Sequence, residues 1–152
     1  MRKIIGLVLG IIFLFGTTLF ADGVDNDLDK YIADANKTGK TVLMFVHEDG
    51  CPFCAKMDFE FDESDVSKIV KKRFIFVDIN KDDDETVKYK GKTYSNLAFV
   101  QNVLGINFFP VILFIDGTGE VIYDLVGYRS KDKFIKVLKD VSSGAYKEES
   151  FE

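Results

Sequence analysis

The sequence contains very few residues of the kinds that bind metals or build disulfide frameworks. Its 152 residues include two cysteines and one histidine, with no tryptophan. A structural zinc site is normally held by four cysteine or histidine ligands, so this set falls short. A disulfide between cysteines only three positions apart closes so short a loop that it would stabilise the fold little. These scarcities disfavour both a zinc site and a purely structural disulfide.

Positive charge is also scarce. The chain has 20 Lys and Arg residues against 25 Asp and Glu, which gives a net charge of −5. Nucleic-acid binding depends on basic patches, so we expect no nucleic acid among the partners. Hydrophobic residues make up 47% of the chain and include 15 Phe, enough for a real core, and the length suits one domain.

The first 21 residues form a segment of a different kind. Arg2 and Lys3 precede an apolar run that extends from Ile4 to Phe15, and the small residue Ala21 is followed by an acidic stretch. This order is typical of a secretory signal peptide, and we predict cleavage after Ala21. An uncleaved membrane anchor stays open as an alternative, because the apolar run continued to Phe20 is nearly long enough to span a bilayer.

The predicted leader determines where the domain begins and in which compartment we expect the protein. Residues 1–21 are the signal peptide, and residues 22–152 form a single domain with its core at about 27–141. We therefore expect a periplasmic protein, outside the reducing cytosol, where dithiols and disulfides can exchange.

Cys51 and Cys54 stand in a Cys-x-x-Cys motif between a predicted strand at 41–46 and a predicted helix. Pro52 is favoured at a first helical position, so Cys51 is predicted to be the N-cap. Its sulfur would face free backbone N–H groups and the positive end of the helix dipole, which lower the pKa of its thiol. We predict that Cys51 is the nucleophile and that Cys54, one turn further on, resolves a mixed disulfide.

The rest of the chain alternates helices and strands without an internal repeat. The apolar run at 73–79 is typical of a strand covered on both faces, so we place it at the centre of the sheet. Besides these, the patterns predict a helix at 27–37, a second helix after 62–65, a small hairpin at 88–94, a helix at 97–104, paired strands at 111–115 and 120–126, and a closing helix after Ser130.

This order of elements resembles the thioredoxin fold, an α/β fold with a central mixed β-sheet flanked by helices. The resemblance covers about 27–141 and is carried by three segments. Within the superfamily the chain looks most like exported thioredoxin-like proteins, such as SoxW-type thioredoxins and the C-terminal domain of DsbD. The three segments are Cys51-Pro52-Phe53-Cys54, Gly105–Val111, and Phe114–Glu120 followed by Gly127-Tyr128.

The resemblance implies an exported thiol:disulfide oxidoreductase without cofactor or metal. Pro110 would be a cis-proline opposite the dithiol, and a substrate groove would be formed by Pro52, Phe53, Phe109 and Pro110. Protein thiols or disulfides would be the substrates of a monomer that reduces disulfides. An upstream membrane or soluble thiol donor would restore the dithiol.

The chain departs from the family at two positions behind the dithiol. Phe45 and Phe76 stand where thioredoxins often have a buried acid and its basic partner, so we expect a dry, closely packed sheet beneath the cysteines. His47, Glu48 or water would then have to transfer the proton of the resolving thiol.

Two other functions are compatible with the same motif. The cysteines, together with His47, could hold copper in a periplasmic soft-metal binding module. The chain could also be a thioredoxin-fold partner whose cysteines no longer turn over.

Overall fold

A four-stranded sheet forms the centre of the computed structural model. The structure describes residues 24–147, so the predicted leader at 1–21 lies outside the described residues. In chain order the elements are β1 (Asn26–Asp27), α1 (Leu28–Thr38), β2 (Thr41–His47), α2 (Pro52–Asp62), α3 (Ser64–Arg73), β3 (Phe74–Asn80), β4 (Thr86–Tyr89), β5 (Lys92–Ser95), α4 (Asn96–Ala98) with a π-helical turn (Phe99–Val103), β6 (Val111–Ile115), β7 (Val121–Val126), α5 (Lys131–Ser143) and a 3₁₀ turn (Ala145–Lys147).

The sheet is mixed, as predicted, and the thioredoxin-type fold class is confirmed. β2 runs parallel to β3 and antiparallel to β6, and β6 runs antiparallel to β7. The two central strands are continuous apolar runs, and every residue of β6 and the five middle residues of β2 are buried. Burial on both faces explains why these two strands lack an alternating polar pattern. The Cys-x-x-Cys loop therefore begins at the C-terminal end of a buried central strand, β2.

The prediction that the strand at 73–79 lies at the centre of the sheet is wrong. β3 is an edge strand, and its residues alternate between buried positions, such as Val77 and Ile79, and exposed ones, such as Asp78. Phe76 also points to the exposed side, where 42% of its surface stays accessible. The ring of Phe61 in α2 packs against the Phe76 ring, with 4.9 Å between the ring centroids. This helix residue covers one part of Phe76, and the rest of the ring stays accessible to solvent.

The predicted small hairpin is confirmed as β4–β5, which joins β1 in a second sheet of order β1-β4-β5. This hairpin also holds the start of the described chain. The Asp25 carboxylate accepts the Thr86 N–H at 2.8 Å. Four residues further on in each segment, the Asp29 carboxylate accepts the N–H groups of Lys90 and Gly91 at 2.7 and 2.8 Å. The residues on either side of β1 are therefore anchored to the hairpin, Asp25 at the start of β4 and Asp29 at the turn.

Asn96 connects this second sheet to the end of β3. Its side chain is fully buried, and its Nδ2 donates to the carbonyl oxygen of Asn80 at 2.8 Å. The following turns are π-helical rather than regular α-helix, and the segment ends where Gly105 adopts a φ of +68°. Glycine reaches this left-handed region without the steric cost that other residues meet.

Candidate active site

Cys51 is the N-cap of α2, as predicted from Pro52. Its φ and ψ of −84° and 110° are extended, Pro52 is the first helical residue, and the Cys51 Sγ accepts the backbone N–H of Cys54 at 3.1 Å. A cap must have non-helical dihedrals and offer an acceptor to the free N–H groups of the first turn, and Cys51 does both. The sulfur of Cys51 therefore lies at the positive end of the helix.

The two cysteines form a disulfide, with their Cα atoms 5.2 Å apart. Cys54 is buried, with 3% of its surface accessible, whereas Cys51 is partly exposed. Met57, one turn after Cys54, is fully buried beneath it in the helix. An incoming sulfur can therefore reach Cys51 more readily than Cys54.

A cavity of about 410 Å³ opens beside the disulfide. It is lined by the two cysteines and by residues from the end of β2, the β2–α2 loop, α2 and β3. The lining side chains that can titrate, other than the cysteines, are His47, Glu48, Asp49, Asp58 and Asp78. Both predicted proton-transfer candidates, His47 and Glu48, thus lie in the same cavity as the dithiol.

His47 is the last residue of β2, and its imidazole is held by two contacts. Its Nε2 lies 2.8 Å from Oδ1 of Asp78 on the neighbouring strand. Its ring stacks on that of Phe45, with 4.8 Å between the ring centroids and 18° between the planes. The imidazole therefore has a fixed position at the cavity wall.

The surroundings of His47 favour its protonated form. Burial alone would lower the pKa of His47. The hydrogen bond to Asp78 and the negative charges of Asp78, Asp58 and Asp83 outweigh burial, so the pKa is raised above its ordinary value of 6.5. The imidazolium form of His47 therefore persists to higher pH than that of a free imidazole.

Glu48 is engaged differently. Its Oε2 lies 3.5 Å from the Nζ of Lys81, and the same Nζ lies 2.7 Å from Oδ1 of Asp82. Glu48 thus faces a lysine that it shares with a second carboxylate. Of the two predicted candidates, His47 has the more defined placement in the cavity.

Of the residues predicted to form a substrate groove, Pro52 lines the cavity, Phe53 follows it in α2, and Phe109 and Pro110 directly precede β6. The Phe109–Pro110 peptide bond is cis, as the resemblance implied, and Pro110 is buried. The register that pairs Val46 with Val111 places Pro110 beside the end of β2, from which the loop to Cys51 departs. Pro52 and Phe53 are exposed on the first turn of α2, and 55% of the Phe53 surface is accessible. Phe109 is partly buried, with the Nζ of Lys81 5.8 Å from its ring centroid.

The expectation of a dry sheet behind the dithiol holds at Phe45 and fails at Phe76. Phe45 is buried and packs against Phe61 at 5.1 Å, and Phe61 in turn contacts Phe134 at 5.1 Å. Phe76 lies on the edge strand and is half-exposed, so it does not close the site from solvent. The expected burial of both residues assumed a central β3, and the strand order removes that premise.

Asp58 and Asp78 are site residues that the sequence reasoning missed. Asp58 follows Cys54 by four positions, and that spacing places two side chains on the same face of a helix. Asp78 is the one charged residue of β3, and an isolated charge in a mostly apolar strand is a signal of a specific role. Both signals are visible in the sequence, but neither identifies the partner.

Two features are absent from the part of the chain that the structure describes. Within residues 24–147 there is no group of three or more His, Cys, Asp or Glu side chains arranged to hold a metal ion. Among the same residues, none of the helices combines the length and the apolar character that crossing a bilayer requires.

A mixed sheet of this order, a disulfide at the first turn of a helix and a cis-proline at the start of the next central strand define a protein of the thioredoxin-fold dithiol class. The chain belongs to the thioredoxin-like domain family, whose model matches residues 28–142. Membership of this family supports a thiol-disulfide oxidoreductase type of function. No curated protein matches the chain.

Several solved structures resemble the chain. A thioredoxin-fold protein from Helicobacter pylori is 23% identical over 72% of this chain and 73% of its own, with a TM-score of 0.64. The oxidised C-terminal domain of DsbD from Neisseria meningitidis is 20% identical, covering 74% of this chain and 91% of its own, with a TM-score of 0.54. A disulphide isomerase from Xylella fastidiosa is 17% identical, covering 76% and 88%, with a TM-score of 0.56. At these identities the likeness shows the fold.

Proposed function

We propose that the protein is an exported thiol:disulfide oxidoreductase that reduces disulfides in other proteins through Cys51 and Cys54. The observation that carries the proposal is the contrast between the two sulfurs. Cys51 is partly exposed at a helix N-terminus, where its sulfur accepts a backbone N–H, and Cys54 is buried one turn behind it. A nucleophile must be accessible and stabilised as a thiolate, whereas a resolving thiol needs access only to its partner.

The proposed reaction has two exchange steps. The Cys51 thiolate attacks one sulfur of a substrate disulfide, so that a Cys51–substrate disulfide forms and the second substrate sulfur leaves with the electron pair. The Cys54 thiol then loses its proton and attacks the Cys51 Sγ, which forms the Cys51–Cys54 disulfide and releases the first substrate sulfur. Two electrons and two protons pass to the substrate, and a thiol donor must return them.

The substrate groove is proposed at Pro52, Phe53, Phe109 and Pro110. Phe53 is exposed in the first turn of α2 and Phe109 is partly exposed just before β6, so both offer apolar surface to a ligand. A peptide segment around an accessible disulfide is the ligand that this surface suits. The protein is proposed to act as a monomer.

The direction of electron flow and the location are further parts of the proposal. The reducing direction and the need for an upstream membrane or soluble thiol donor follow from the sequence resemblance to SoxW-type thioredoxins and the DsbD C-terminal domain. The periplasmic location follows from the predicted leader at 1–21.

The proposal is tested by reduction of insulin with dithiothreitol as the donor, followed as the turbidity of the released B chain. We expect the wild-type protein to accelerate precipitation and the Cys51→Ser variant to be inactive. In cells, the Cys54→Ser variant should retain its substrates as mixed disulfides on Cys51, because the step that releases them is missing. A wild-type protein without any effect on insulin would contradict an oxidoreductase and would favour the inactive thioredoxin-fold partner.

The soft-metal alternative receives less support from the site. Copper bound by Cys51, Cys54 and His47 would require these three side chains to converge, and no such group exists among residues 24–147. Metal analysis of the protein purified without chelators distinguishes the two functions, since a copper module should carry metal at a fixed ratio to protein.

A further inference from the structure

We propose that Asp78 is a positioning residue that holds a protonated His47 at the wall of the dithiol cavity, and that this imidazolium manages the charge and the proton of the Cys51–Cys54 pair. The inference rests on the proposed function and deepens it, because it assigns control of the dithiol's proton to named residues.

The geometry gives His47 a single orientation in the cavity. Phe45 supports one face of the ring, and Asp78 fixes one edge through the 2.8 Å contact with Nε2. The two residues come from adjacent parallel strands, in which His47 is paired with Asn80, two positions beyond Asp78. A group that is held by packing and by a hydrogen bond keeps its position through the reaction, which is the requirement for electrostatic control of a reacting atom.

His47 is the basic side chain that can balance the negative charges lining the cavity. Four carboxylates line it, from Glu48, Asp49, Asp58 and Asp78, and His47 is the one basic side chain among the lining residues. Carboxylates near a thiol disfavour the thiolate, so without a cation this cavity would oppose the form in which Cys51 reacts. A protonated His47 in the same cavity offsets part of the negative potential that these carboxylates create.

The other charged groups near His47 are already engaged or act only at a distance. Glu48 faces Lys81, and the Asp49 carboxylate accepts the side-chain N–H of Asn80 at 2.9 Å. Asp83 accepts from the same Asn80 amide at 3.2 Å and reaches His47 through its charge alone. Asp58 also acts on His47 through its charge, so Asp78 is the carboxylate bonded directly to the ring.

The proton balance follows from these roles. When Cys51 attacks the substrate disulfide, the imidazolium gives its proton to the leaving substrate thiolate and becomes neutral. The neutral imidazole then takes the proton of the Cys54 thiol, which attacks the Cys51 Sγ and closes the disulfide. His47 ends protonated, as it began, and the first substrate sulfur takes its proton from solvent.

The test is the pH profile of Cys51 alkylation by iodoacetamide in the reduced protein, with mass spectrometry locating the label. Asp78→Asn keeps an acceptor oxygen for Nε2 and removes the charge. We expect this variant to move the profile to higher pH by about one unit, the low end of the effect of a neighbouring charge. At about pH 7, above the ordinary imidazole value, the alkylation rate should fall about threefold, because the loss of thiolate is partly offset by a more nucleophilic sulfur. His47→Gln should move the profile in the same direction.

The double variant gives the decisive readout. In the His47→Gln background, Asp78→Asn can act on the thiolate only directly, by removing a negative charge, so the profile should stay in place or move to lower pH. Asp83→Asn is the matched control, because it removes the same charge from the same region without a bond to His47, and its shift should be smaller than that of Asp78→Asn. Circular dichroism checks that each variant is folded.

An Asp78→Asn shift of the same sign and size in both backgrounds overturns the proposal, and so does an unchanged profile in the single variant. Failure of the proposed function looks different. A protein that does not reduce insulin at all would refute the oxidoreductase, while the alkylation profiles would still report whether Asp78 acts on Cys51 through His47.

Discussion

The ring of Phe45 stacks on the imidazole of His47 at 4.8 Å, so a buried residue of the central strand orients a residue of the dithiol cavity. Phe45 also contacts Phe61, which packs on Phe134 of the last helix. The wall of the cavity is therefore continuous with the core. Substitutions at Phe45 should affect both the stability of the fold and the environment of the cysteines.

Phe45→Asp should destabilise the protein by about 3–5 kcal/mol at neutral pH, the range for loss of a buried aromatic side chain. The new carboxylate would be buried, so its pKa would be raised in the folded state relative to the unfolded state. The folded state would then bind more protons, and part of the stability should return as pH falls through that window. Denaturant midpoints at two pH values measure both effects.

Phe76→Asp is the control, because Phe76 is half-exposed and its replacement should cost much less. Equal losses at the two positions would contradict the edge placement of β3.

In the reduced protein, Cys51 should react with alkylating reagents before Cys54. The Sγ of Cys51 accepts a backbone N–H at the helix N-terminus, which favours the thiolate and should bring its pKa well below the free value of about 8.5. Cys54 is buried and lacks that position. Alkylation rates measured against pH for each thiol check the expectation, and equal rates for the two would remove the capping argument.

The contribution of His47 to stability should depend on pH. The pKa of His47 is raised in the folded protein, because the hydrogen bond to Asp78 and nearby carboxylates outweigh burial. A group with a raised folded-state pKa contributes stability that is fully present below its unfolded value of 6.5 and is lost as pH rises through the folded value. His47→Gln should therefore destabilise the protein more at about pH 5 than at about pH 9. Urea midpoints of the two proteins at both pH values give the difference, and a loss that does not vary with pH would contradict it.

Asn96→Ala should destabilise the fold by about 1 kcal/mol, the net contribution of one hydrogen bond, because the Asn80 carbonyl keeps a second donor, the Asp83 N–H at 3.3 Å. The fully buried Asn96 side chain donates to the Asn80 carbonyl at 2.8 Å, and alanine removes that donor. Asn107→Ala is the control, because the exposed Asn107 side chain also donates to a carbonyl, that of Gly105 at 3.2 Å, where water can replace it. Thermal unfolding of both variants measures the contrast, and a loss as small as that of Asn107→Ala would mean that the Asn96 bond adds no stability beyond the Asp83 bond to the same carbonyl.

The mature protein recovered from a periplasmic fraction should begin at Asp22, since the leader pattern places the cleavage point after Ala21. N-terminal sequencing or intact mass measures this directly. An intact segment from Met1 to Ala21 in the membrane fraction would show that the leader is retained as an anchor.

The elements that sequence patterns predicted well are those whose signals are local. Pro52 after Cys51 is sufficient to predict the cap, and the Asp-Gly turn between two apolar runs is sufficient to predict the β6–β7 hairpin. The position of β3 could not be obtained in this way. An apolar run shows that side chains are covered but not by what, and the partial cover of Phe76 comes from the helix residue Phe61.

The candidate site shows the same limit. The motif and the cis-proline position could be predicted, because each is a short segment with its own signature. The contact between His47 and Asp78 joins residues 31 positions apart, on strands whose register fixes the pair. Register is set by the packing of the whole sheet, so the partner of His47 becomes visible only in the folded structure.

The anchoring of the first strand to the β4–β5 hairpin has a consequence for how the chain matures. Asp25 bonds to Thr86 and Asp29 bonds to Lys90, so each of these two carboxylates has its partner 61 positions further along the chain. In a chain that crosses a membrane N-terminus first, as the proposed export implies, the residues just behind the leader stay unpaired until the hairpin has emerged. The second sheet can therefore be completed only after the hairpin has emerged, which makes pairing of the first strand a late step in folding.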